Sequence, residues 1–152
     1  MDGGIGVIAQ TIQLALAPVF VLVAIGNIMN ILSTRLGRIV DRSRYLVERH
    51  PTTSGPEHDA IVREMRLVDR RIHLIGRAIL LLVLAGIAIG LTVVLLFIED
   101  FAAINLKLYV ATTFIISLAM LMGALLLFLR ETREAAAVLR IPESYLELER
   151  KL

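Results

Sequence analysis

The chain contains no cysteine and no tryptophan. The first absence excludes disulfides, thiolate nucleophiles and cysteine-ligated metals. The second, with only three tyrosines, leaves little of the aromatic belt that usually marks the two membrane surfaces. Histidine is sparse as well. His50, His58 and His73 match no standard ligand spacing. His50 and His58 flank a turn beside Glu57 and Asp59 and read as solvated tip residues. The chain has no phosphate-binding loop, dinucleotide fingerprint or HExxH. No serine has a histidine and an acid beside it, so an enzyme is the least supported class. No catalytic residue, metal or cofactor is expected.

Charge is missing only from parts of the chain. Of 152 residues, 57% are apolar and 20% charged, and the mean hydropathy of +0.79 is high for a soluble globule. Three apolar stretches span about 5–32, 74–98 and 106–129. Each meets the roughly 20 residues a helix needs to cross a bilayer. Backbone groups in lipid must bond within their own segment, which makes each stretch a helix. So short a chain has no polar shell in which to bury three of them. The expected fold is all-α, with three transmembrane helices in a single membrane domain. The first stretch opens Met1-Asp2-Gly3-Gly4 with no basic residue and is too long for a secretory signal. Pro18 is expected to kink it, separating an amphipathic piece from a true span.

Residues 33–77 carry ten arginines and six acids, and residues 130–152 carry five basic and five acidic residues. The remaining charges are Asp2, Glu99, Asp100 and Lys107, for a formal net charge of +2. The positive-inside rule counts the basic residues and puts 33–77 and the C-terminal tail 130–152 in the cytoplasm. The N-terminus and the 99–105 turn are then outside. The arginines are interleaved with acids next to the membrane, which favours lipid headgroups over nucleic acid as partner.

No stop signal follows Leu32, and the first helix is expected to reach about His50. Pro51-Thr52-Thr53-Ser54-Gly55-Pro56 is a turn, and Ser54 with Glu57 has capping-box spacing for the next helix. That helix carries Ile61, Met65, Val68, Ile72, Ile75 and Ile79 at alternating steps of four and three, a coiled-coil-like seam. Leu36, Ile39 and Leu46 face it from the first helix. The first two helices are thus expected to extend into a cytoplasmic antiparallel helical hairpin over 33–73. Asp41 and Asp69 sit in matching Val-Asp-Arg stretches. They are expected to pair with arginines, across the hairpin, across a subunit boundary, or within their own helices, as Arg38 with Asp41. The third helix is expected to run to about Leu139, with Tyr145, Leu148 and Leu152 on a short terminal helix.

The first span is polar for a lipid-facing helix. Gln10, Gln13, Asn27, Asn30 and Thr34 form a stripe filled between its ends by Ala17, Phe20 and Ala24. Unpaired polar groups are costly in lipid, so the stripe faces protein or water. Either copies of this helix ring an aqueous pathway, with Phe20 as an apolar constriction, or the amides are glue between helices. Gly86 and Gly90 form a GxxxG, and Ala119 and Gly123 share that spacing, so tight helix packing within or between subunits is expected. Three helices are few for enclosing a site, which makes a homo-oligomer the default.

The runs Leu16-Ala17-Pro18 and Asn30 to Arg42, with Arg70-Arg71, Arg77-Ala78-Ile79 and Phe128-Leu129-Arg130-Glu131, resemble the small bacterial membrane proteins grouped as domain of unknown function 2721. The resemblance covers roughly residues 6–140, and its most specific part is Arg38-Ile39-Val40-Asp41-Arg42. It implies three helices and a bacterial inner-membrane location, and carries no activity. It draws attention to Asn30, Arg35, Arg38, Asp41 and Arg42, where the first span enters the cytoplasm. Two functions fit the residues. One is a homo-oligomeric pore lined by Gln13, Asn27, Asn30 and Thr34, with Arg35, Arg38, Asp41 and Arg42 at its cytoplasmic mouth. The other is a non-conducting scaffold or regulator that binds a cytoplasmic partner through its arginine-rich hairpin. External acids would favour cations and an arginine ring anions, which leaves ion selectivity open.

Overall fold

The structure is a computed structural model. It describes the backbone of residues 2–102 and 104–138, with side chains for residues 10–102 and 104–136. The fold is all-α among the described residues. Helix α1 runs Asp2–Arg49, a 3-10 turn covers His50–Thr52, α2 runs Pro56–Ala102, and α3 runs Lys107–Val138. The expected terminal helix at Tyr145, Leu148 and Leu152 lies outside the described residues.

All three helices are long and apolar enough to cross a membrane. The most apolar 18-residue window of α2 has a mean hydropathy of 3.0, yet only 22% of it is buried inside the chain. Phe101, Leu108, Ile87 and Ile115 are among the large apolar side chains left exposed. Such a surface suits lipid rather than water, and the chain reads as a multi-pass membrane protein. At 1.5 Å per residue α1 and α2 are each about 70 Å long. The hydrocarbon layer takes about 30 Å of that, so more than half of each helix projects beyond it.

Helix α2 is the middle element. α1 and α3 both pack along it and scarcely touch each other. The contacts follow a seven-residue repeat. Thr11, Pro18, Ile25, Leu32, Ile39 and Leu46 are buried down α1 at this spacing, with Ala15 buried beside them. Ile61, Val68, Ile75, Leu82 and Ile89 answer them on α2. This is the period of a coiled-coil seam. Met65, Ile72, Ile79 and Leu36 from the expected seam are half-buried against this core. On α3 the buried positions are Ser117, Ala124 and Glu131, again seven apart. The small residues there match the close packing favoured between membrane helices. The Thr92 hydroxyl of α2 donates to Thr113 of α3 at 3.0 Å and is also within 2.9 Å of its own helix's Ala88 carbonyl.

Three local expectations are corrected. Ser54 does not cap α2. The helix starts one residue later, with Pro56 in its first position and the Gly55 carbonyl accepting from the Asp59 N–H at 3.2 Å. Proline suits that position because its missing N–H would be unpaired there anyway. Gly55 has φ of 67°, which only glycine adopts without strain. Pro18 lies inside α1, and the pieces on either side of it belong to one helix from Asp2 to Arg49 rather than to two. The turn expected at 99–105 is shorter, because α2 continues to Ala102 and α3 begins at Lys107.

Candidate functional site

The expected stripe lies on the open face of α1. Gln13, Phe20, Asn27, Asn30 and Thr34 are all exposed, while the buried repeat of α1 faces α2. Phe20 is 69% exposed. No side chain among the described residues bonds the amides of Gln13, Asn27 or Asn30, and the Thr34 hydroxyl donates to the Asn30 carbonyl of its own helix at 3.0 Å. Among the described residues these amides are therefore not glue within one chain. Asn27 and Asn30 lie about 12 Å and 7 Å along the helix from Arg35, and Gln13 about 33 Å. Between Gln13 and Asn27 the stripe is apolar for about 21 Å. Gln10 is exposed as well, and with Ala17 of the stripe it lines a cavity of about 720 Å³ between all three helices, described below.

At the other end of the spans the three helices are tied by ions. Glu131, on the buried seam of α3, has no exposed side-chain surface. Its Oε2 accepts from Arg35 Nη1 of α1 at 2.7 Å. Its Oε1 accepts from Arg71 of α2, at 2.8 Å from Nη2 and 3.1 Å from Nε. Arg35 also donates to the Thr132 hydroxyl at 2.9 Å and lies 5.1 Å over the Phe128 ring. Beside this triad Glu134 meets Arg70 at 3.0 Å and Arg130 at 3.4 Å. A buried carboxylate between two guanidiniums is stable only with both partners in place. Every buried side-chain nitrogen and oxygen among the described residues is satisfied.

Sequence reasoning placed Arg35 at a mouth and treated Glu131 as part of a solvated tail. The buried triad was missed. One signal could have found it. Ser117, Ala124 and Glu131 share a seven-residue phase, so the acid continues a seam of small residues. The triad also joins three of the stretches that carry the family resemblance, the Asn30–Arg42 run, Arg70-Arg71 and Phe128 to Glu131.

The other mouth residues do not join it. Arg38 and Asp41 are exposed and have no partner among the described residues. Asp69 is likewise exposed and unpaired among the described residues, so neither aspartate pairs across the hairpin or within its own helix there. The pairs are instead Arg42 with Glu64, doubly bonded at 2.7 and 3.0 Å, and Arg49 with Glu57 at 3.3 Å. The hydrogen bond to Glu64 raises the Arg42 pKa further above its ordinary value. His50 and His58 are half-buried rather than solvated. Their ring centroids are 4.5 Å apart, and Thr53 Oγ1 lies 3.4 Å from His58 Nδ1. No cluster of three metal-ligating residues occurs among the described residues.

The packing residues separate. A Cβ on Gly86 would sit 3.6 Å from Leu22 of α1, and one on Gly123 would sit 3.4 Å from Leu81 of α2. Ala119 is exposed, and a Cβ on Gly90 would meet nothing within 4 Å. Gly90→Ala is therefore expected to leave the protomer as stable as before or more so, by about 0.5–1 kcal/mol of helix propensity. Thermal unfolding in detergent reads this. A lowered melting temperature would show that a second copy packs against Gly90.

A family model described as "Protein of unknown function (DUF2721)" matches residues 15–141. No curated protein and no solved structure matches the chain.

Proposed function

The chain belongs to the family described as protein of unknown function (DUF2721), and from that premise we propose that it forms a homo-oligomeric channel of the bacterial inner membrane, lined by the open face of α1. The observation that carries this reading is the set of unpartnered amides, Gln13, Asn27 and Asn30, on the side of a membrane helix turned away from its own chain. Lipid cannot bond them, so water or another copy must. Copies arranged with α1 innermost supply both.

The path has polar ends and an apolar waist. Asn27, Asn30 and Thr34 line one end and Gln13 the other, with Ala17, Phe20 and Ala24 between. A waist of this kind closes by excluding water and opens when it widens. The ten arginines of residues 33–77 support a cytoplasmic side for that segment. There α1 and α2 form an antiparallel hairpin, supported by the Arg42–Glu64 and Arg49–Glu57 pairs. The N-terminus lies outside and the C-terminus inside. The triad at Glu131 holds the base of α1 to α2 and α3, so that motion of the hairpin reaches the lining helix. Arg38 and Asp41, unpaired in the chain, face the inner mouth.

A scaffold that conducts nothing is the second reading. Its support is the free charge on the projecting half of the molecule, where Arg38, Asp41, Arg44, Arg66 and Asp69 are exposed without partners. Asn27→Leu separates the two. In a channel it changes ion flux into liposomes and leaves the subunit count in native mass spectra intact. In a scaffold it weakens assembly, and neither form conducts. A monomer or dimer would sink the channel, because two copies of α1 cannot close a ring.

A further inference from the structure

We propose that the cavity at the end of the spans remote from Glu131 seats one phospholipid with a zwitterionic, primary-ammonium headgroup, as in phosphatidylethanolamine. The inference is independent of conduction and of subunit number. The cavity exists because α1 and α3 both pack on α2 and scarcely touch each other. Leu14 and Pro18 of α1 form one wall, Val110 and Phe114 of α3 the other, and Leu96 of α2 lies between them. Its volume of about 720 Å³ is within the roughly 300–1,000 Å³ typical of ligand sites. From Lys107 to Phe114 it extends about 10 Å along the helix. The Thr92 hydroxyl in this wall is already engaged, donating to Thr113. The deep part therefore asks for an apolar occupant, and in a bilayer that is an acyl chain.

The polar lining is gathered at one end. Gln10, Glu99, Asp100 and Lys107 lie at the end of the lining segments of α1, α2 and α3 farthest from Glu131. No ion pair joins Glu99, Asp100 or Lys107 to each other or to another described residue. Two carboxylates thus sit on the α2 side of the mouth and one ammonium on the α3 side, each open to a ligand. A phosphoethanolamine group matches both. Its ammonium donates hydrogen bonds to the Glu99 and Asp100 carboxylates, and its phosphate accepts from Lys107. A phosphoglycerol headgroup would satisfy Lys107 and leave both carboxylates facing an anion. A choline headgroup has no N–H to donate.

The test is native mass spectrometry of the full chain, purified in detergent and equilibrated with equal amounts of phosphatidylethanolamine and phosphatidylglycerol of the same acyl composition. Three proteins are compared: the natural chain, Glu99→Gln/Asp100→Asn, and Ala111→Trp, which fills the cavity from the α3 wall. Circular dichroism and melting confirm that each is folded. The natural chain is expected to retain one phosphatidylethanolamine per protomer, about tenfold over phosphatidylglycerol, the effect of one charge-assisted bond. Glu99→Gln/Asp100→Asn is expected to lose that preference while still holding a lipid, and Ala111→Trp to hold neither. Equal or greater retention of phosphatidylglycerol by the natural chain would overturn the headgroup assignment. Unchanged lipid retention by folded Ala111→Trp would overturn the site. So would lipid-free oligomers that Ala111→Trp breaks into single chains, since a second copy would then be the occupant.

Discussion

Glu131→Ala is expected to cost the fold about 3 kcal/mol, since removing one partner of a buried ion pair costs about 3–5 kcal/mol and water reaches part of both arginines here. Their side chains are 33% and 28% exposed, against 0% for the glutamate, which puts the effect at the low end. For a chain of this size that corresponds to a fall in melting temperature on the order of 10 °C. The cause is the charge left behind. Arg35 and Arg71 are aimed at one point between three helices, and without the carboxylate they repel each other where α3 covers them. Glu131→Gln keeps the volume and one acceptor and is expected to fall between alanine and the natural protein. The decisive comparison is Arg35→Met/Glu131→Met/Arg71→Met, which removes all three charges. A buried triad replaced by apolar residues is often as stable as before, so this variant is expected to melt close to the natural protein. If Glu131→Ala melts unchanged in detergent, the triad is not what holds the base of α1.

Phe20→Asn is the second large effect, and it falls on transport rather than stability. Phe20 is 69% exposed and makes no part of the core, so the variant should melt like the natural protein. In a channel lined by α1, an amide halfway along the apolar waist lets water bridge the gap between Gln13 and Asn27. Lowering the barrier by about 1.4 kcal/mol raises flux about tenfold, and an increase of that order is expected in liposome flux assays. Unchanged flux in a stable, assembled variant would place Phe20 against lipid and remove α1 from the lining of any path.

The spans were legible because hydropathy and length suffice to mark them. The expected stretch 74–98 lies inside α2 and 106–129 lies inside α3 from its second residue on, and the seam of Ile61, Val68 and Ile75 is buried as its spacing predicts. The start of α2 was misread by one residue, because Ser54-x-x-Glu57 and Gly55-Pro56 offer competing starts, and proline's fixed φ favours the second. The exposed face that carries the stripe was legible from helical phase alone, whereas the cavity that Gln10 and Ala17 line was not. The arginine partners were not legible. Arg38 and Arg44 have Asp41 one turn away, but Arg35, Arg42 and Arg71 have no acid at that spacing, and their reaches to Glu64 and Glu131 depend on how far one helix slides along another.

The sequence by itself determined that three helices are long and apolar enough to cross a membrane, that two of them are far longer than a crossing needs, and which residues of each share a face. Those properties belong to single helices, and periodicity and transfer energy set them residue by residue. Only the tertiary structure decided that α2 lies between α1 and α3, that Glu131 joins Arg35 to Arg71, and that a cavity opens between the helices near Lys107. Each of these depends on the relative position of two or three helices. A shift of one turn along α3, about 5.4 Å, would carry Glu131 out of reach of both arginines while leaving every apolar stripe facing the same way.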